Sequence, residues 1–137
     1  MVDTPINALL VEDNPGDARL LREMLVDSDE SGFRLTHRPR LAEALEQLDG
    51  EAFDIVLLDL QLPDAQDFET FSRTQVRAPR VPIIVLTGND DRELALKAVR
   101  HGAQDYLVKG QFDTDLLTRA IGYAIQRKQV EEELKQH

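Results

Sequence analysis

Short apolar runs alternate with amphipathic stretches along the whole chain, and that rhythm predicts a strand–helix–strand protein. The runs fall at about residues 7–11, 33–37, 54–58, 83–86 and 105–108. Ile55-Val56-Leu57-Leu58 and Ile83-Ile84-Val85-Leu86 are apolar throughout, as strands covered by helices on both faces must be. Residues 33–37 alternate only weakly and read as an edge strand. Between the runs the spacing is helical. Asn14-Pro15 supplies a cap and a first helical residue, followed by Ala18, Leu21 and Leu25 on one face, widened by Leu20 and Met24. Ser28 to Gly32 is a turn. Leu41, Ala44, Leu45 and Leu48 form a second stripe, ended by Asp49-Gly50. A short third helix is capped by Asp67 and runs to about Val76 before Ala78-Pro79-Arg80 breaks it. Asn89-Asp90-Asp91 opens a fourth helix that stops at Gly102, and the last begins near Asp113. This alternation implies an α/β fold: a parallel sheet sandwiched between two layers of helices.

The ends of four runs carry the candidate chemistry. Ala8-Leu9-Leu10-Val11 leads into Glu12-Asp13, the third run into Asp59, the fourth into Thr87-Gly88, and Tyr106-Leu107-Val108 into Lys109. Parallel α/β sheets form their crevice at the carboxyl ends of the strands, so these ends predict one cluster of three carboxylates, a hydroxyl and an ammonium. The loop Glu-Asp-Asn-Pro-Gly-Asp after the first run lacks the glycine- or hydroxyl-rich character of a phosphate cradle. It would repel phosphate unless a cation intervened, and a hard divalent ion such as Mg²⁺ relieves the repulsion between packed carboxylates. Asp59 then reads as a metal ligand, a nucleophile that could form an acyl phosphate, or both. The plainer alternatives are turn acids at 12 and 13, a strand-end cap at 59 and a turn glycine after Thr87.

Composition narrows the class. A chain of 137 residues suits one domain. Its net charge of −10 argues against direct nucleic-acid binding. No run approaches the roughly 20 apolar residues of a membrane helix, and Met1 to Pro5 does not resemble a signal peptide. The absence of cysteine removes disulfides and thiolate chemistry and suits the cytoplasm. His37, His101 and His137 show no ligand spacing and read as surface residues.

Leu10-Val11-Glu12-Asp13-Asn14, Val56-Leu57-Leu58-Asp59-Leu60-x-Leu-Pro63, Ile84-Val85-Leu86-Thr87-Gly88 and Gly102-Ala103-x-Asp105-Tyr106-Leu107-x-Lys109 occur in this order. Together they resemble the receiver domain of two-component response regulators, over about residues 6–125. The resemblance implies a flavodoxin-like (βα)5 fold with strand order 2-1-3-4-5. It implies that Asp59 accepts a phosphoryl group from a histidine kinase or histidine phosphotransfer protein. Mg²⁺ (or Mn²⁺) would be held by Asp13, Asp59 and the backbone carbonyl of Gln61, with Glu12 acting through a water. Thr87 and Lys109 would hold phosphoryl oxygens, Thr87 and Tyr106 would form the switch, and Gln61 and Asn89 would tune phosphoryl loss. Such a chain is a modified switch rather than an enzyme. Its partners would be the phosphodonor and a downstream protein or fused output domain, with a second copy of the chain as a further candidate.

Two departures from the family pattern stand out. Lys109 is followed by Gly110 where Lys-Pro is common, which predicts a looser loop, and Asp67 or a neighbour replaces a glycine common before the third helix. An aspartate-nucleophile phosphatase is disfavoured because position 61 is Gln rather than a second Asp. A degenerate, unphosphorylated interaction module is disfavoured because no acid-pocket residue is missing. On the last helix, Leu117, Ile121 and Ile125 predict the packed face. Leu116, Ala120, Tyr123, Arg127, Val130 and Leu134 trace a second, heptad-like line. Residues 1–125 are therefore read as the receiver, and residues 126–137 as an extension able to act as a coiled-coil linker.

Overall fold

The computed structural model describes residues 5–26 and 32–136. Its elements are β1 (Ile6–Val11), α1 (Pro15–Leu25), β2 (Phe33–Arg38), α2 (Leu41–Gly50), β3 (Ile55–Asp59), α3 (Asp67–Arg77), β4 (Ile83–Thr87), a 3₁₀ turn (Asn89–Asp91), α4 (Arg92–Arg100), β5 (Asp105–Val108) and α5 (Thr114–Lys135). All four strand pairings are parallel, in the order β2-β1-β3-β4-β5. The expected flavodoxin-like three-layer fold is therefore the observed one. The turn read at Ser28 lies outside the described residues, apart from Gly32 at its end.

Alternation along the strands builds two separate cores, because successive side chains point to opposite faces. Leu9, Val11, Val56, Leu58, Ile83 and Val85 pack with Leu41, Phe71 and Ala95 from α2, α3 and α4. Ala8, Leu10, Ile55, Leu57, Ile84 and Leu86 pack with Leu21, Leu25, Leu117 and Ile121 from α1 and α5. The order reverses between β1 and β3. A crevice therefore opens at their carboxyl ends, where Glu12, Asp13 and Asp59 emerge.

Several local expectations are changed by packing. Leu20 does not widen the α1 core face; it is exposed, whereas Met24 is half-buried against the core. Asp67 is not a side-chain cap: it is the first residue of α3, and Gln66 precedes the helix without a capping bond. Asp67 has φ 62°, the only positive φ among the described non-glycine residues. The glycine of the family pattern is thus replaced by an aspartate in the left-handed region. Gly110, at φ 80°, sits in a turn closed by Gln111 N–H on the Val108 carbonyl at 3.0 Å. Proline cannot adopt this φ, so glycine suits the turn. Gly102 has φ 122° and ends α4 as expected. On α5, Ala120 belongs to the core while Leu116, Tyr123, Val130 and Leu134 are exposed. The helix continues unbroken past Ile125. Arg127 Nε and a terminal guanidinium nitrogen donate to the Gln104 side chain and backbone, both at 3.2 Å.

Candidate functional site

Lys109 is the centre of the crevice. Its Nζ lies 2.6 Å from Glu12 Oε1, 2.7 Å from Asp59 Oδ2 and 3.1 Å from Asp17 Oδ2. The Asp59 contact is a directed hydrogen bond, whereas the Glu12 contact is close but lacks hydrogen-bond alignment. The backbone fixes the surroundings. Lys109 N–H donates to the Thr87 carbonyl at 2.8 Å, tying the ends of β4 and β5 together. Gln61 N–H donates to Asp59 Oδ1 at 2.9 Å, so both Asp59 oxygens are held. Asn14 N–H donates to Glu12 Oε2 at 3.1 Å.

Carboxylate oxygens of Glu12, Asp13 and Asp59 lie within 4.8 Å of one another. Glu12 and Asp59 are buried and Asp13 is exposed. Three carboxylates, Glu12, Asp17 and Asp59, contact the one ammonium, and Asp13 adds a fourth beside Glu12 and Asp59. That excess of negative oxygen donors, open to solvent on the Asp13 side, fits a hard divalent cation. The electrostatics follow the same geometry. Burial, reinforced by the Asp59 carboxylate, raises Glu12 from its ordinary 4.5 to about 8 against the pull of Lys109. Burial works against the Lys109 charge, but Asp59 and Glu12 outweigh it and hold the ammonium above its ordinary 10.5.

Thr87 is buried at the end of β4, and its hydroxyl donates to the Gly88 carbonyl at 3.0 Å. Tyr106 is half-buried on the α4 side of the sheet. It pairs in register with Val85 as Val108 does with Thr87, so Tyr106 and Thr87 belong to the same face. The two amides read as modulators are both engaged at the rim. Gln61 Nε2 donates to Asp67 Oδ1 at 2.8 Å, and Gln111 Nε2 donates to Asn89 Oδ1 at 2.7 Å.

Two residues at the site escape the sequence reading. Asp17 reaches Lys109 because Asn14 caps α1, accepting from Asp17 N–H at 3.0 Å, and so points the first helical turn at the crevice. Its position three residues after the cap was the available signal. His37 is not a surface histidine: it is half-buried, and Nε2 lies 2.6 Å from the Glu12 carbonyl oxygen. His101 is exposed and makes a T-shaped ring contact with Phe68, and His137 lies outside the described residues.

A family model for the response regulator receiver domain matches residues 8–121. The chain belongs to this family. The receiver is 32% identical to the regulatory protein LuxO of Vibrio cholerae over 118 residues, covering 86% of this chain and 25% of LuxO. It is also 32% identical to the swarming motility regulation protein RssB of Serratia marcescens, covering 83% of this chain and 51% of RssB. The chain thus spans about a quarter to a half of these relatives' length. Among solved structures it resembles the receiver domain of the sensor histidine kinase PA1611 from Pseudomonas aeruginosa PAO1, with TM-score 0.76 and 31% identity over 89% of this chain and 98% of that one. That structure holds a magnesium ion coordinated in the active site cleft. Full-length FixJ from B. japonicum superposes with TM-score 0.83 at 28% identity, over 96% of this chain and 63% of that one. No helix among the described residues is long and apolar enough to cross a membrane.

Proposed function

We propose that this receiver is a phosphorylatable switch with Asp59 as the acceptor. A phosphohistidine on a histidine kinase or histidine phosphotransfer protein is the donor. The bond from phosphorus to the imidazole nitrogen breaks, that nitrogen keeps the electron pair, and a bond from an Asp59 oxygen to phosphorus forms. The observation that carries this reading is Asp59 itself, a buried strand-end carboxylate held at one oxygen by Lys109 Nζ and at the other by Gln61 N–H. These donors orient a nucleophile and offer charge to a phosphoryl group attached there.

Asp13, Asp59 and the Gln61 carbonyl, with Glu12 acting through a water, would hold Mg²⁺ or Mn²⁺. When bound, the ion neutralises the carboxylates and phosphoryl oxygens that otherwise repel each other. Lys109 then exchanges its bond to Asp59 for one to a phosphoryl oxygen. Thr87 turns its hydroxyl from the Gly88 carbonyl toward the phosphoryl group, and Tyr106 follows on the same face. The changed surface is read by a downstream protein or a fused output domain in the cytoplasm, with residues 126–137 as a linker that can pair with a second copy. The net charge of −10 speaks against nucleic acid as the direct partner.

Incubation with acetyl phosphate and Mg²⁺ tests this reading by intact mass. One added phosphoryl group is expected on the wild type and none on Asp59→Asn. No addition, or an addition that survives Asp59→Asn, overturns it.

A further inference from the structure

Gln61 and Asp67 close a small ring across the β3–α3 loop. Gln61 Nε2 donates to Asp67 Oδ1 at 2.8 Å, and Asp67 N–H returns a longer bond to Gln61 Oε1 at 3.4 Å. The same Gln61 is anchored at its backbone, whose N–H donates to Asp59 Oδ1. Gln61 therefore links the candidate phosphoryl acceptor to the first residue of α3. Its backbone is tied to one and its amide to the other.

The conformation of Asp67 gives this ring its significance. At φ 62° an L-residue crowds its own carbonyl, and glycine would adopt the conformation freely. Aspartate tolerates the region better than most residues but less well than glycine. An acid at the start of a helix is favourable for the helix dipole, yet Glu69 already supplies an acid in the same first turn. What residue 67 supplies besides is the acceptor for the Gln61 amide.

We infer that Asp67 is a positioning residue that holds the Gln61 amide against α3 and away from the Asp59 carboxylate, leaving the approach to that carboxylate open to water. This rests on the reading of Asp59 as phosphoryl acceptor. Released from Asp67, the amide swings on its own side-chain torsions toward Asp59, two residues back, and crowds the water that hydrolyses the acyl phosphate. The tether therefore keeps the phosphorylated state short-lived.

The test is the lifetime of the acyl phosphate after loading with acetyl phosphate and Mg²⁺, followed by intact mass. Asp67→Gly removes the acceptor and relieves the backbone, so the fold is favoured while the tether is lost. The lifetime is expected to lengthen about threefold, within the range of couplings between touching side chains. Asp67→Asn keeps an amide oxygen as acceptor and tolerates the same φ, so it should retain the wild-type lifetime. In a Gln61→Ala background, Asp67→Gly should leave the lifetime unchanged, an outcome that altered strain or dipole would not produce. A wild-type lifetime in Asp67→Gly overturns the inference, as does an equal change with and without Gln61. Failure of the wild type to load at all instead overturns the acceptor reading, so the two failures are distinguishable.

Discussion

Replacing Glu12 by glutamine should remove a pH dependence of stability that the metal-free receiver carries. Glu12 is fully buried, and its carboxyl is raised from 4.5 to about 8 by burial and by Asp59. Between those values the folded state keeps a proton that the unfolded state has released. Stability contributed by the protonated carboxyl is therefore complete below pH 4.5 and is lost as pH rises toward 8. A full proton difference is worth about 1.4 kcal/mol per pH unit. From pH 6 to pH 8, allowing for half-ionisation at the upper end, the loss is about 2 kcal/mol. The crevice is open on the Asp13 side, so water and salt reduce this, and we expect a loss of about 1 kcal/mol. The assay is urea unfolding of wild type and Glu12→Gln at pH 6 and pH 8 in EDTA. Other groups titrating in that window are common to both proteins and cancel. The variant should match the wild type at pH 6 and exceed it at pH 8. Saturating Mg²⁺ should flatten the wild-type dependence, because a cation favours the ionised carboxylate. An equal loss with pH in both proteins would refute the argument that burial holds a proton on Glu12.

Two further predictions concern the frame around the site. Asp64, in the β3–α3 loop, accepts from Leu41 N–H at 2.8 Å and Ala42 N–H at 2.9 Å, and so caps α2 from a distance. Asp64→Ala should cost about 1 kcal/mol in chemical unfolding at pH 7. Burial alone would raise this carboxyl, but the Ala42 and Leu41 N–H groups outweigh it and lower it below its ordinary 3.8, so the cap's contribution should fade only as pH falls below that value. Gly102→Ala would place a methyl group into the Gln75 amide at φ 122°, and should lower stability by about 2 kcal/mol, visible as a reduced Tm.

The grouping of the candidate site residues was legible because each lies beside a run of apolar residues. Glu12, Asp59, Thr87 and Lys109 are strand-end residues, and a buried parallel strand announces its end by the change from apolar to polar. The fold was legible for the same reason, since strict alternation of runs and helical stripes leaves few topologies. What local pattern did not carry were contacts made across the loops. Asp17 reaches Lys109 across 92 positions of sequence because α1 starts where β5 ends in space. Asp64 caps a helix 23 residues earlier, in place of any side-chain cap from Arg40. Asp67 looked like an ordinary cap because composition alone does not reveal a backbone at φ 62°. His37 looked like a surface residue because edge strands alternate weakly, yet the parallel register with β1 brings it to the Glu12 carbonyl. Periodicity marked the main core stripes and the groups at strand ends, since those follow from helix and strand geometry. Only the tertiary structure decided which carboxylates share the ammonium and where the rim amides are tied, since those distances depend on how the loops close over the sheet.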